Sequence, residues 1–190
     1  RGFATTSPAL LKTADGLQRH GNAGQTFRAV ISLPAIAGKI GVRGGGFWYG
    51  TSGWASFEND VISKASLCPA PPRRVNMLRL GAVLNGDLDG PPIRSLLVFN
   101  ANPVTSTPNA GLIVKGLLRD DLFTVVHEQF MTDTALYADI VLPATTQLEQ
   151  IDLHRAYGHR FLHYNAAAIP PHGESVSNWD LMRRLATAMG

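Results

Sequence analysis

Three short apolar runs in the second half of the chain constrain its architecture more than any other feature. They are SLLVFN (Ser95–Asn100), LFTVVHE (Leu122–Glu128) and DIVLP (Asp139–Pro143). Each is too short for a helix of useful length, each is rich in β-branched or aromatic residues, and spacers of helical character lie between them. Runs that are apolar throughout, with no alternation, suit parallel strands covered on both faces. The expected fold class is therefore α/β, a three-layer αβα arrangement around a mainly parallel, Rossmann-like sheet. A helix is predicted from Pro108 to Leu118, with Thr107 as N-cap and Pro108 in the first turn. A last helix should begin near Asn178 and run to Gly190. Trp179, Met182, Leu185, Ala186 and Met189 recur there every three or four residues, so this helix is expected to dock on the sheet.

The first half reads less cleanly. Ala9 to Asp15 (ALLKTAD) suits a strand broken at Gly16, and the loop GLQRHG follows. Asn22 and Gln25 resemble a capping box for a helix over TFRAVISLPAIA, which is apolar on most faces, as for a helix buried between other elements. Pro34 should kink or break that helix and Gly38 should close it. From Gly38 to Gly53, seven of sixteen residues are glycine, interleaved with Phe47, Trp48, Tyr49 and Trp54. That composition points to an ordered loop packed against a surface. SLCPAPPRR, Ser66 to Arg74, is expected to be irregular, with a helix from Val75 to Leu84 ended by Asn85-Gly86.

Composition excludes several classes of function. The net charge of +3 arises from 17 Lys and Arg against 14 Asp and Glu, with no like-charge run beyond pairs such as Arg73-Arg74. A nucleic-acid partner would need a basic stripe. One cysteine, Cys68, cannot form an internal disulfide or by itself hold zinc or an iron–sulfur cluster, and is read as a buried or incidental thiol in a reducing compartment. No apolar stretch approaches the ~18 residues of a membrane span. Charged residues are 16% of the chain, which leaves weakly polar surface for neighbours. A chain opening on Arg1, without a secretory-type apolar region, is expected to be a trimmed or partly observed one.

In an open parallel sheet, ligands bind beyond the carboxyl ends of the strands, where helix N-termini also point. That rule selects the loops Gly16–His20, Asn100–Thr107, His127–Thr134 and Pro143–Gln150. Asn100, Asn102, Thr105, Ser106 and Thr107 supply neutral donors and acceptors for a phosphate or a purine edge, or else form a well-capped turn. Glu128 could accept two hydrogen bonds from a ribose diol or a guanine, or it could cap the turn around Thr132, with His127 as a satisfied core histidine. General acid–base chemistry by His127 and Glu128 is a third reading, with no nucleophile beside them. Of the six histidines, His154, His159 and His163 are close in sequence, at spacings that match no zinc pattern.

The string LFTVVHEQFMTDTALYADIVLPATTQLEQIDL, with VFNANPVTSTP before it and GESVSNWDLMRRLA after it, resembles the bis-molybdopterin guanine dinucleotide family. That family includes formate dehydrogenases, nitrate reductases and dimethyl sulfoxide reductase. GLQRHGNAGQTFRAVISLPAIAGKIGVRGGG is similar to the family segment that leads into a glycine-rich turn. The resemblance implies a cofactor, molybdopterin guanine dinucleotide carrying molybdenum or tungsten, and a cofactor-binding set of Arg19, Asn100, Asn102, His127, Glu128, Gln150 and Asn178. Within it, Asn102 matches a nucleotide-contact position, Glu128 the acidic residue that recognises the guanosine, and Arg19 a residue near the pterin. Gln150 and Asn178 stand where the family often has Lys and Asp, so each keeps a hydrogen-bonding group and loses a charge.

Cys68 does not match the family's metal ligand, and neither its cysteine cluster nor its C-terminal barrel has a counterpart in these residues. The resemblance thus implies that residues 1–190 are one α/β cofactor-binding domain without catalytic or metal-ligating residues of its own. Its partners would be the remaining domains of the same enzyme, which would act on a small-molecule substrate by formate dehydrogenase-like or oxyanion or S-oxide reductase-like chemistry. The expected location is cytoplasmic, with periplasmic export of the full-length protein left open. The competing expectation is a stand-alone or degenerate nucleotide-binding or structural module without redox activity.

Overall fold

A computed structural model describes residues 1–50, 59–68, 70, 72–156 and 159–190. Trp54 and Gly53 of the glycine-rich segment, and Pro69 and Pro71 of the irregular one, lie outside the described residues. The chain divides into two compact units, Arg1–Asn59 with His154–His163, and Asp60–Leu153 with Tyr164–Gly190.

In the first unit a short α1 (Gly2–Thr5) precedes β1 (Leu10–Lys12), and α2 (Ala23–Ile36) connects β1 to β2 (Gly46–Trp48), which pairs with it in parallel. The glycine-rich segment thus contains a strand where a loop was expected. Glycine permits it, because a Cβ on Gly45 would lie 2.8 Å from the Lys39 carbonyl, and Gly46 adopts φ +104°. The Asn22 side chain makes no cap; the residue sits at φ 62°. α2 runs through Pro34 and ends two residues later at Ile36, so little helix has to form beyond the proline. Gly38, at φ +65°, closes the helix as its sequence suggests. The expectation of a helix buried on most faces fails: Ala23, Phe27, Val30 and Pro34 form a stripe turned inward, while Ile31, Leu33 and Ile36 are exposed. A two-stranded ladder is wide enough to cover one stripe of a helix and no more.

The second unit contains the three-stranded sheet, β3 (Ser95–Phe99), β4 (Phe123–Glu128) and β5 (Ile140–Pro143), in that order and all parallel. These are the three runs expected from the sequence, trimmed by a residue or so. Strand β3 stops at Phe99 because Asn100 turns to φ 52°. Before the sheet come α3 (Asn59–Ser63) and α4 (Leu80–Leu84), the latter entered through a 3-10 turn at Met77–Arg79 where a longer helix was expected. Between β3 and β4 lie α5 (Pro103–Ser106) and α6 (Ala110–Leu117). The N-cap of α6 is Asn109, at φ 61°, and not Thr107: the four-residue α5 uses the segment up to Ser106, and helix geometry restarts only after Pro108. Two further strands, β6 (Asp152–Arg155) and β7 (Leu162–Asn165), pair as a separate sheet.

Beyond β5 an isolated parallel bridge joins Ala144 to Val176. Thr145 N–H donates to the Val176 carbonyl and Val176 N–H to that of Pro143, both at 3.1 Å. The bridge adds one rung beside β5 and delivers the chain straight into α7 (Asn178–Met189). The expected docking of α7 on the sheet is found only near its start. Leu181 is buried and Met182 partly so, whereas Trp179, Leu185 and Met189 are exposed. A three-stranded sheet offers this helix a partner along its first turn alone.

The core is assembled where α4 crosses α6. Leu84, Ile113, Leu117 and Leu122 form one buried cluster, and Val98, Val126 and Ala135 a second. The helices approach at two glycines: a Cβ on Gly116 would lie 2.5 Å from Leu84 Cβ, and one on Gly81 2.9 Å from Leu112 Cβ. The crossing is tied by Asn85, whose Nδ2 donates to the Gly81 and Leu112 carbonyls at 2.7 Å each. Gly116→Ala is expected to destabilise the full chain by about 1–3 kcal/mol through overpacking. Gly111→Ala, in open space on the same helix, should be neutral or stabilising by up to about 1 kcal/mol. Urea denaturation of both variants measures this, and equal responses would contradict so close a crossing.

Candidate functional site

Parallel pairing sends the carboxyl ends of β3, β4 and β5 to one edge of the sheet, and the Val176 bridge brings the N-terminus of α7 to that edge. Register then decides which side chains meet. Phe99 pairs with His127, so Asn100 emerges from β3 next to the end of β4. Asn178 is the first residue of α7, behind the N-cap Ser177, whose Oγ accepts from Asp180 N–H at 3.1 Å.

These placements produce a hydrogen-bonded line of three expected site residues. His127 Nδ1 meets Asn178 Oδ1 at 2.9 Å, and Asn178 Nδ2 donates to Asn100 Oδ1 at 2.8 Å. His127 is 1% exposed, and its Nε2 has no partner among the described residues. The reading of His127 as a satisfied core histidine is therefore half right: one ring nitrogen is used and the other is not. Glu128, half-buried at the end of β4, accepts from Gln129 N–H at 2.7 Å and does not cap the turn at Thr132. Its other oxygen has no partner among the described residues.

Asn102 is drawn into a different arrangement. Its Oδ1 accepts from Thr134 Oγ1 at 2.6 Å and from Thr134 N–H at 3.2 Å, and its Nδ2 donates to Thr105 Oγ1 at 2.9 Å. Thr134, fully buried, also accepts from Val104 N–H at 3.1 Å. Thr105 in turn donates to Asp133 at 2.8 Å. This network clamps the loop after β3 to the loop after β4, so Asn102 holds the rim together.

An open cleft of about 740 Å³ lies beside α7, lined among others by Thr145, Glu149, Gln150, Asn178, Trp179 and Arg184. Gln150 Oε1 accepts from Thr145 Oγ1 at 2.8 Å. Trp179 is 73% exposed, so its ring offers a free face. Glu149 was not singled out from the sequence, although it anchors this wall: its two oxygens accept from Thr146 N–H and His172 N–H, each at 2.7 Å. The signal was present as Thr146-x-x-Glu149, the pattern of a capping box, with Glu149 N–H returned to the Thr146 carbonyl at 3.1 Å.

Arg19 lies in the first unit, exposed at the end of the 3-10 turn Asp15–Gln18, its N–H bonded to the Gly16 carbonyl at 3.2 Å. His159 and His163 stack at 4.7 Å, and among the described residues no group of three or more His, Cys, Asp or Glu is placed to hold a metal ion. Cys68 is exposed, so of the two expected readings, buried or incidental, burial does not hold; its Sγ donates to the Ala70 carbonyl at 2.9 Å. Among the described residues no helix is long and apolar enough to cross a membrane.

Residues 4–188 match the family described as molybdopterin oxidoreductase. The chain is 42% identical over 189 residues to "Probable oxidoreductase YoaE" of Bacillus subtilis, covering 99% of this chain and 28% of that protein. It is 27% identical over 216 residues to the assimilatory nitrate reductase catalytic subunit of the same organism, covering 99% and 29%. Among solved structures it is similar to acetylene hydratase from Pelobacter acetylenicus, with a TM-score of 0.53 and 28% identity over 61% of this chain and 16% of that one. The chain thus spans between a quarter and a third of the length of these curated relatives.

The two loop N–H donors on Glu149, Thr146 first and His172 after it, hold its carboxyl below the usual glutamate range. A depressed folded value means that the stabilisation is complete above the unfolded glutamate value and is lost as pH falls through the folded one. Glu149→Gln should therefore lower thermal stability at neutral pH, with the difference from wild type shrinking steadily on acidification below the usual carboxylate range. A difference independent of pH would show that the carboxylate form is not what these N–H groups recognise.

Proposed function

The chain belongs to the molybdopterin oxidoreductase family, and on that premise we propose that it holds the guanosine half of molybdopterin guanine dinucleotide within a larger oxidoreductase. The observation that carries this reading is the line Asn100, Asn178, His127 at the carboxyl edge of the sheet. Neutral amides at that edge, beside an exposed indole and a helix N-terminus, are suited to a purine nucleoside.

In this reading Asn100 and Asn178 face the base, and Glu128 takes the ribose hydroxyls through the oxygen that Gln129 leaves open. Gln150 supplies a neutral contact from the cleft wall, and His127 and Asn102 act from within by holding the others. Arg19 is assigned to the pterin end on the family resemblance. Residues 1–190 would form one cofactor-binding domain, its αβα layering completed by chain outside these residues. When bound, the cofactor's molybdenum or tungsten supplies the redox chemistry, of oxyanion or S-oxide reductase-like or formate dehydrogenase-like type; the protein's part is binding and orientation.

Hydrogen bonds to a charged group are worth about 1.5–3 kcal/mol each. Glu128→Ala in the full-length enzyme is therefore expected to weaken cofactor retention by about tenfold or more, read as molybdenum or tungsten per protein after purification. Undiminished metal content would remove Glu128 from the site. A full-length protein that carries neither metal nor pterin would favour a structural module without redox activity.

A further inference from the structure

Asn85 and Gly86 are each required where they stand, and side by side they form the one Asn-Gly pair in the sequence. Gly86 is the left-handed residue that closes α4. At φ +99° it donates its N–H to the Val83 carbonyl at 3.1 Å, and Asp87 N–H reaches the Ala82 carbonyl at 3.0 Å. This is the double hydrogen bond of a Schellman motif, which favours glycine at that position. Asn85 ties α4 to α6 through the two contacts that its Nδ2 makes with the Gly81 and Leu112 carbonyls, at 2.7 Å each. The residue itself is exposed to solvent, whereas Leu84 before it is fully buried in the cluster that the crossing creates.

An asparagine followed by glycine is the pair in which the backbone most readily attacks the side chain, because no Cβ stands beside the attacking nitrogen. Gly86 N, after yielding its proton to a solvent base, forms a bond to Asn85 Cγ. The Cγ–Nδ2 bond then breaks, and the nitrogen leaves as ammonia with a proton taken from water. A second water molecule opens the resulting succinimide ring at either of its carbonyls, which gives aspartate or isoaspartate at position 85. Water is the one co-reactant these steps require. In the folded chain both reacting groups are engaged elsewhere, the Gly86 N–H by Val83 and the Asn85 amide by two carbonyls on different helices.

We propose that Asn85 is a self-modification site gated by the α4–α6 crossing: the closed crossing holds both reacting groups in other contacts, and its opening releases them to deamidate. The product cannot remake the bridge, because a carboxylate has no hydrogen to donate to the Gly81 and Leu112 oxygens. Lys115 and Arg119 line the same recess as Asn85 and would draw the new carboxylate off those two oxygens. Each opening is thus a chance for a change that hydrogen bonding does not reverse, and the fraction of chains modified at position 85 records how often the crossing has opened.

The test follows full-length protein at mildly alkaline pH. Trypsin releases the peptide Leu80–Arg94, which is weighed for the mass gain of an amide becoming an acid; the Asp89-Gly90 pair in the same peptide can isomerise but does not change its mass. Folded protein should deamidate at Asn85 at least about tenfold more slowly than a synthetic peptide of the same residues, because the fraction of time spent open sets the rate. In urea above the unfolding midpoint the two rates should match. Gly116→Ala, which crowds the crossing, should deamidate faster than Gly111→Ala, which lies in open space on the same helix. If Gly116→Ala does not fold, wild type in urea below its midpoint takes its place, and its rate should rise above that in buffer. Asn85→Asp, the product made directly, should unfold at a lower urea concentration than wild type. Folded wild type reacting at the peptide rate, or equal rates in the two glycine variants, overturns the gate. No mass gain at Asn85 in unfolding urea overturns the site, and an Asn85→Asp protein as stable as wild type overturns the loss of the bridge.

Discussion

Strand β4 is hydrogen-bonded on both sides by parallel neighbours, and nearly every other feature of the second unit inherits its arrangement from that fact. An antiparallel pair would have sent alternate strand ends to opposite edges. Here three ends and, through the Ala144–Val176 rung, one helix start share a single edge. Side chains separated by 78 positions, Asn100 and Asn178, then sit within hydrogen-bonding distance, the second returned to this edge when the chain beyond β5 comes back to bridge Ala144 at Val176. The register Phe99 to His127 sets which residues meet, and a slip by one residue would turn His127 to the other face of the sheet.

The polar groups at this edge divide into two sets by what their hydrogen bonds already do. Asn102 and Thr134 spend their capacity on each other and on the α5 backbone, so they make the two loops one rigid body. Asn100, Asn178 and His127 are joined in a line that leaves capacity unspent at both ends, a donor on the surface and a ring nitrogen in the core. Rigid support beside partly satisfied groups is what a preorganised binding site requires, because the supporting groups hold the geometry and the others have something left to give.

The sequence made the sheet legible because apolar runs of fixed length leave few alternatives. It also identified Asn100, His127 and Asn178 individually, through the rule of carboxyl ends and the family resemblance. What it could not supply was their mutual contact, since that depends on register and on a single bridging rung outside any recognisable strand. The bonds that Asn102 makes were not legible, because polar loop residues ahead of a helix carry no mark of whether a buried threonine 32 positions later will claim them. The same locality explains the misplaced N-cap of α6, where Thr107 and Asn109 are both good caps and the short α5 decided between them. Docking of α2 and α7 was overestimated because periodicity reports that a helix has an apolar face, and not how wide a surface is there to receive it.

Asn100 occupies the left-handed region at φ 52°, which few residues besides Gly, Asn and Asp enter without strain. This narrows the evolutionary routes open at that position. A change to Ser, Thr, Gln or Lys would first have to be reconciled with the backbone that turns the chain out of β3. Gly keeps the turn and deletes the amide; Asp keeps the turn and exchanges the donor for an acceptor. Drift at position 100 would therefore proceed in discrete jumps between a present, an absent and an inverted contact, with no graded series between them.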